Sequence, residues 1–358
     1  MRPPFAQRLF PLAAGTLLAA CHDTPAPTES MGADVSALAP ATVAVPTVSN
    51  TWAARATIER NYLFYGFTAG AAKNAVGQWV VYTFGGATDD GGSGWAIRAY
   101  DVATDTWTRK TARVNLSSRW NGVGLIGNLL YYTGGWTWGE SNFGNTLTAY
   151  DFAADRQTVL ANLPRFTADG VTGVYQGKLL YVLPGTCSGE GWPNAGYCDE
   201  EPFHRLFRYD PATNKWGARH QSLYYHRGGA GGFIGDKFYV VGGQDSTGAF
   251  VNTWRLEAYD PTTDRWTARA SMPSGGTTIS NCLSAIHCVF ATVMDHKLWV
   301  LTRDHRLLVY DPATNTWAAK AKLPATTSPQ AMVRVAIGAQ AYLFVVGAGL
   351  TASQLYRP

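Results

Sequence analysis

A Tyr-Asp pair with Trp seven positions after the Tyr recurs along this chain and constrains its fold more than any other feature. The copies are Tyr100-Asp101 with Trp107, Tyr150-Asp151 with Gln157, Tyr209-Asp210 with Trp216, Tyr259-Asp260 with Trp266, and Tyr310-Asp311 with Trp317. Successive tyrosines lie about 50 residues apart, too long for a solenoid of helix pairs and close to the period of a four-stranded blade. Ahead of the Tyr, an apolar run ends at glycines: Val80 to Gly85-Gly86, Leu129 to Gly134-Gly135, Leu179 to Pro184-Gly185, and Phe238 to Gly242-Gly243. Runs of β-branched and aromatic residues stopped by residues able to take positive φ predict buried strands ending in turns.

The di-glycine, then Tyr, then Trp, in this order and at this period, resembles the Kelch family of β-propellers from Asn50 onward. The resemblance implies blades of strands a, b, c and d from the axis outward, with the glycines closing b, the Tyr on c and the Trp on d. Two blades depart from the pattern: Gln157 replaces Trp, and Leu301-Thr302-Arg303-Asp304 stands in place of the glycines of the fifth. Looser packing is expected at both points.

The chain ends complement each other. Asn50-Thr51-Trp52-Ala53-Ala54-Arg55 copies Asn315-Thr316-Trp317-Ala318-Ala319-Lys320 without a Tyr before it, and Leu355-Tyr356-Arg357-Pro358 is a c strand with no Trp after it. Joined, they make a sixth blade, with strands a and b over 332–338 and 341–347. The expectation is an all-β, six-bladed Kelch-type β-propeller over 50–358 whose closing blade is shared between N- and C-terminal strands, leaving no open edge.

Upstream, Arg2 and Arg8 precede a short apolar stretch from Leu9 to Ala20, too short for a permanent bilayer span. Leu18-Ala19-Ala20-Cys21 resembles the lipobox of bacterial lipoproteins, which implies a signal peptide over 1–20 and lipidation of Cys21; His22 rather than Asp after it points to the outer membrane where there is one. Residues 21–49 would be the lipidated Cys and a flexible tether, since the Ala-, Pro-, Ser- and Thr-rich stretch has too little apolar surface for a core. The expected location is the bacterial cell envelope, on the exported side. Of the other four cysteines, Cys187 lies near Cys198 and Cys282 near Cys288. In an exported chain this argues for two disulfides, although three connectivities exist and a four-cysteine zinc site is the rival reading.

Net charge is +4, lowered by two with loss of Arg2 and Arg8, and no basic run appears. Nucleic acid is not an expected partner, and the membrane is reached through the N-terminal lipid only. No cofactor or metal is expected. Gly122-Val123-Gly124-Leu125-Ile126-Gly127 matches a dinucleotide fingerprint in letters but lacks the helix that must follow. The Asp-rich c–d turns suit turn amides better than calcium.

In the implied blade geometry, the b–c and d–a connections share one face, and here they are long and varied, which marks a working surface. The b–c loops carry Trp95, Trp136, Trp138, Trp192 and Trp254. The d–a loops carry Glu59, Arg60 and Asn61; Arg119, Trp120 and Asn121; Arg165, Phe166 and Asp169; Tyr225, His226 and Arg227; Asn281; and Gln330. Aromatic faces beside Arg, Asn and Asp suit a sugar or a peptide. The reading is a lipid-anchored, non-catalytic recognition module for an envelope or extracellular protein or glycan. One alternative is a carbohydrate-acting enzyme, since six-bladed Kelch-like propellers of the bacterial envelope include sialic-acid mutarotases; Glu59 or Asp169 with Arg60, Arg119 or Arg227, and His226 as proton carrier, would fill such roles. The other is a structural envelope protein.

Overall fold

A computed structural model describes residues 45–58, 66–86, 96–113, 122–137, 142–185, 204–244, 253–274, 289–348 and 351–358, apart from the side chains at 136, 137, 142 and 143. All five cysteines, and the expected signal peptide over 1–20, lie outside these residues. Among the described residues no helix is long and apolar enough to cross a membrane.

Six four-stranded antiparallel sheets form the propeller, and a two-stranded hairpin of Trp136–Thr137 with Asn142–Phe143 is added to it. The strands of blade A, in order a to d, are Thr68–Lys73, Trp79–Phe84, Ala96–Asp101 and Thr106–Arg113. Blade B has Val123–Ile126, Leu129–Thr133, Leu147–Asp151 and Arg156–Val159; blade C has Val171–Tyr175, Leu179–Leu183, Arg205–Asp210 and Lys215–Gln221. Blade D has Ala230–Ile234, Lys237–Val241, Leu256–Asp260 and Arg265–Arg269; blade E has Val289–Met294, Lys297–Thr302, Leu307–Asp311 and Thr316–Ala319. Blade F takes Pro329–Ile337, Gln340–Gly347 and Ser353–Arg357 from the C-terminal end and its d strand, Thr51–Arg55, from the N-terminal end. The a strands pack side by side around the axis, and that of blade F lies against that of blade A, so the ring is closed.

The repeat residues explain why the blades stay together. Tyr100, Tyr150, Tyr209, Tyr259, Tyr310 and Tyr356 are each at most 1% exposed, and burying one such ring stabilises the fold by roughly 2–3 kcal/mol. Five of them pack in a tilted arrangement against the d-strand Trp of their own blade, with centroids 4.8–5.2 Å apart. Each indole N–H then crosses to the preceding blade: Trp107 to the Ala56 carbonyl, Trp216 to Ala161, Trp266 to His220, Trp317 to Ala270 and Trp52 to Ala321. The backbone N–H groups of these same acceptor residues donate to Asp105, Asn214, Asp264, Asn315 and Asn50, whose side chains also accept the Tyr hydroxyls. One stitch therefore joins blade to blade around the ring.

Gln157 keeps the stitch in blade B: its Nε2 donates to the Arg113 carbonyl, and its Oε1 accepts the Tyr132 hydroxyl. The aromatic ring is lost but the crossing hydrogen bond is not. Blade E departs from the expectation of long b–c loops. Its strand b runs to Thr302, whose N–H donates to the Arg306 carbonyl at 3.0 Å, and His305 takes the left-handed turn conformation at φ 68°. A tight turn does what the glycines do elsewhere. The c–d turn carboxylates are engaged locally, as in Asp101 with the N–H of Ala103 and Thr104, and Asp151 with that of Ala153 and Ala154.

Candidate functional site at the channel mouth

Strand a is at the inner end of every sheet, so one edge of its backbone has no strand partner and faces the axis. The six a strands surround a channel of about 450 Å³. Close blade packing requires small residues there: a Cβ on Gly70 would lie 2.6 Å from Val123, on Gly124 2.5 Å from Leu180, and on Gly173 2.5 Å from Phe238. Blade packing thus accounts for Gly124, while Gly122 and Gly127 stand at positive φ, at 108° and 58°. At the d–a end the channel is bordered by Phe67, Gly122, Gly170, Gly229, Phe290 and Gln330.

The structure brings Asp169 and the His226-Arg227 segment together. Asp169 is buried, sits at φ 57°, and accepts the Gly228 N–H on its carbonyl at 2.7 Å. Gly185 makes this crossing possible, because a Cβ there would fall 2.0 Å from the Asp169 carbonyl oxygen. Arg227 is half-buried, and its carbonyl accepts the Gln244 N–H at 2.8 Å, so adjacent d–a loops and the strand-b exits form one hydrogen-bonded rim.

His226 is not presented to solvent, contrary to its expected place at the mouth. It is 2% exposed; Nδ1 lies 2.7 Å from the Gly242 carbonyl and Nε2 2.8 Å from Glu257 Oε1. Since a carbonyl only accepts, Nδ1 carries a proton. Glu257, itself fully buried, holds the Leu223 N–H with its other oxygen at 2.8 Å. The pair is a strut beneath the loop. His204 stands nearby with its ring 4.6 Å from Tyr225, and burial pushes its imidazole below the usual range against the pull of Glu257.

Trp254 is half-buried, with the Arg306 guanidinium 5.3 Å from its ring. Phe166 is exposed, Arg165 half-buried, and Gln330 buried at the channel edge. Trp136 is on the small hairpin opposite Phe143. Glu59, Arg60, Asn61, Trp95, Arg119, Trp120, Asn121, Trp138, Trp192 and Asn281 lie outside the described residues, as do Cys21, Cys187, Cys198, Cys282 and Cys288.

Sequence reasoning did not single out three arginines on this face. Arg255 lies 4.1 Å from the Tyr224 ring, Arg306 covers Trp254, and Arg303 lies 5.6 Å from Phe290. Burial lowers the Arg303 guanidinium to about 10. Its signal was present in the sequence, since Arg303 stands where the other blades turn with glycine.

Residues 227–273, which span blade D, match the Kelch motif family. The chain is similar to the Kelch-like protein terF of Aspergillus terreus, 26% identical over 64% of this chain and 50% of that protein. It is also similar to Kelch-like protein 25 of Xenopus tropicalis, 24% identical over 71% of this chain and 41% of that protein. The chain thus spans half or less of the length of these relatives. The solved structure of YjhT superimposes with a TM-score of 0.60 at 18% identity, covering 83% of this chain and 95% of the other, a likeness of fold. A Kelch motif thus covers blade D, and the chain, a six-bladed β-propeller, is similar to Kelch-like proteins.

Proposed function

We propose that the protein is a lipid-anchored, non-catalytic recognition module whose d–a and b–c face binds an envelope or extracellular protein or glycan. One observation carries this: the two ends of the blades differ in how closely they follow the repeat. At the c–d end the same Tyr-to-Asp or Tyr-to-Asn contact recurs in all six blades. At the d–a end the blades diverge, and guanidinium groups stand over Tyr224, Trp254 and Phe290. Aromatic rings with adjacent polar donors suit sugar faces and peptide side chains.

Strand d of blade F begins at the c–d end, so residues 45–50 enter the propeller on the side away from the d–a loops. The carbohydrate-acting alternative gains no proton carrier from His226, whose two nitrogens face Gly242 and Glu257.

The test is a screen of the protein against envelope glycans, sialic acids and peptides by thermal shift and tryptophan fluorescence. Saturable binding that weakens on Trp254→Ala or Arg227→Ala, with folding intact, is the expected result. Silence across all three classes would overturn the proposal.

A further inference from the structure

The residue of strand a that pairs with the strand-b partner of the repeat Tyr occurs once per blade: Ala71, Leu125, Val174, Phe233, Val293 and Arg334. All six line the channel, and all six are half-exposed. They form a collar in the half nearest the a–b and c–d turns, and five of them are apolar. The next level towards the d–a mouth is Ala69, Val123, Thr172, Gly231, Ala291 and Met332, four of them small, which leaves room above that part of the collar.

The one cation of the collar is held against an indole. The Arg334 guanidinium lies 5.7 Å from the centroid of Trp79, which also lines the channel, and the exposed Lys73 ammonium lies 5.8 Å from the same ring. Among the described residues no carboxylate forms an ion pair with Arg334 or Lys73. The a–b turns are described in full.

A guanidinium set among apolar side chains and partly shielded from water gains most from a planar anion that takes its N–H groups two at a time. An inorganic anion would pair with Arg334 but leave the apolar side chains wet. A neutral hydrocarbon would cover them but leave the cation unpaired. We propose that the collar binds a small monocarboxylate with a compact apolar body, its carboxylate on Arg334 and its body against Leu125, Val174, Phe233, Val293 and the Trp79 ring. This site is distinct from the loop face and does not depend on the recognition reading.

The experiment titrates the full chain with hexanoate, acetate and 1-hexanol, reading tryptophan fluorescence and Tm. Hexanoate is expected to give a saturable response and a rise in Tm, at least about tenfold tighter than 1-hexanol for its charge-assisted contact and at least about tenfold tighter than acetate for the burial of its additional methylene groups. Arg334→Met is expected to fold and to remove the preference for hexanoate over 1-hexanol. Arg334→Gln, which keeps a polar side chain at the position, provides the same comparison should the Met variant misfold. No saturable hexanoate response, acetate binding as tightly as hexanoate, or an unchanged preference in the variants would each overturn the site.

Discussion

The hydroxyl of Tyr356 donates to Oδ1 of Asn50 at 2.7 Å, joining residues 306 positions apart. The same oxygen accepts the Ala321 N–H at 2.8 Å, and Asn50 is left-handed at φ 58°. Asn50→Gly keeps the backbone conformation and loses both hydrogen bonds, so urea unfolding is expected to show a loss of about 2 kcal/mol. Asn50→Ala adds the left-handed penalty, about 1 kcal/mol more. Equal stability of wild type and Asn50→Gly would show that the closure does not hold the ring.

Three stitches use Asp where three use Asn, and this predicts acid sensitivity. Burial alone would raise the carboxyls of Asp155 and Asp264, but donation from Thr111 N–H and the Tyr150 hydroxyl, and from His220 N–H and the Tyr259 hydroxyl, outweighs it and holds both below the usual carboxylate range. A lowered folded-state value gives stability that is present above the unfolded-state value and is lost as pH falls through the folded one. Asp155→Asn with Asp264→Asn copies the residues of blades C, E and F, so thermal unfolding followed down to about pH 2 is expected to fall less steeply in the double variant than in wild type. Parallel curves would refute this.

Gln157 replaces an indole with a carboxamide that donates across to blade A and accepts the Tyr132 hydroxyl within blade B. Gln157→Leu is expected to cost about 1–3 kcal/mol in urea unfolding, because the Arg113 carbonyl and the Tyr132 hydroxyl lose their partner. A neutral substitution would mean that water replaces the side chain at no cost.

Glu257→Ala leaves the buried His226 without its carboxylate, and the expected loss in chemical unfolding is about 3–5 kcal/mol. His226→Ala together with Glu257→Ala should cost less than the two single changes added, since the pair acts as a unit. Strict additivity would show that the two side chains are not coupled.

Much of this architecture was legible in the sequence, because its signals repeat. Tyr100 and its counterparts mark each c strand, Trp107 and its counterparts each d strand, and the copy of Asn315-Thr316-Trp317 at Asn50-Thr51-Trp52 identified the closing strand. The roles of Gln157 and His226 were not legible, because their partners lie elsewhere in the chain: the Arg113 carbonyl is 44 positions from Gln157, and Glu257 is 31 from His226. The d–a loops repeat nothing, so nothing in their letters distinguishes a buried strut from an offered side chain. The collar was hidden for a related reason, since Arg334 joins Leu125 and Phe233 only once the blades are set in register.

The shared closing blade also determines how the molecule meets a mechanical load. A pull on the N-terminal end acts first on the Arg357 contacts to the Pro46 and Thr47 carbonyls and on Asn50, and then on Thr51, which pairs with Arg357 at the edge of the sheet. In an antiparallel pair loaded at one end, the strand peels residue by residue rather than sliding, so Thr51–Arg55 would part from Ser353–Arg357 before any other blade bears tension. The closure of the ring is thus also its release point under force.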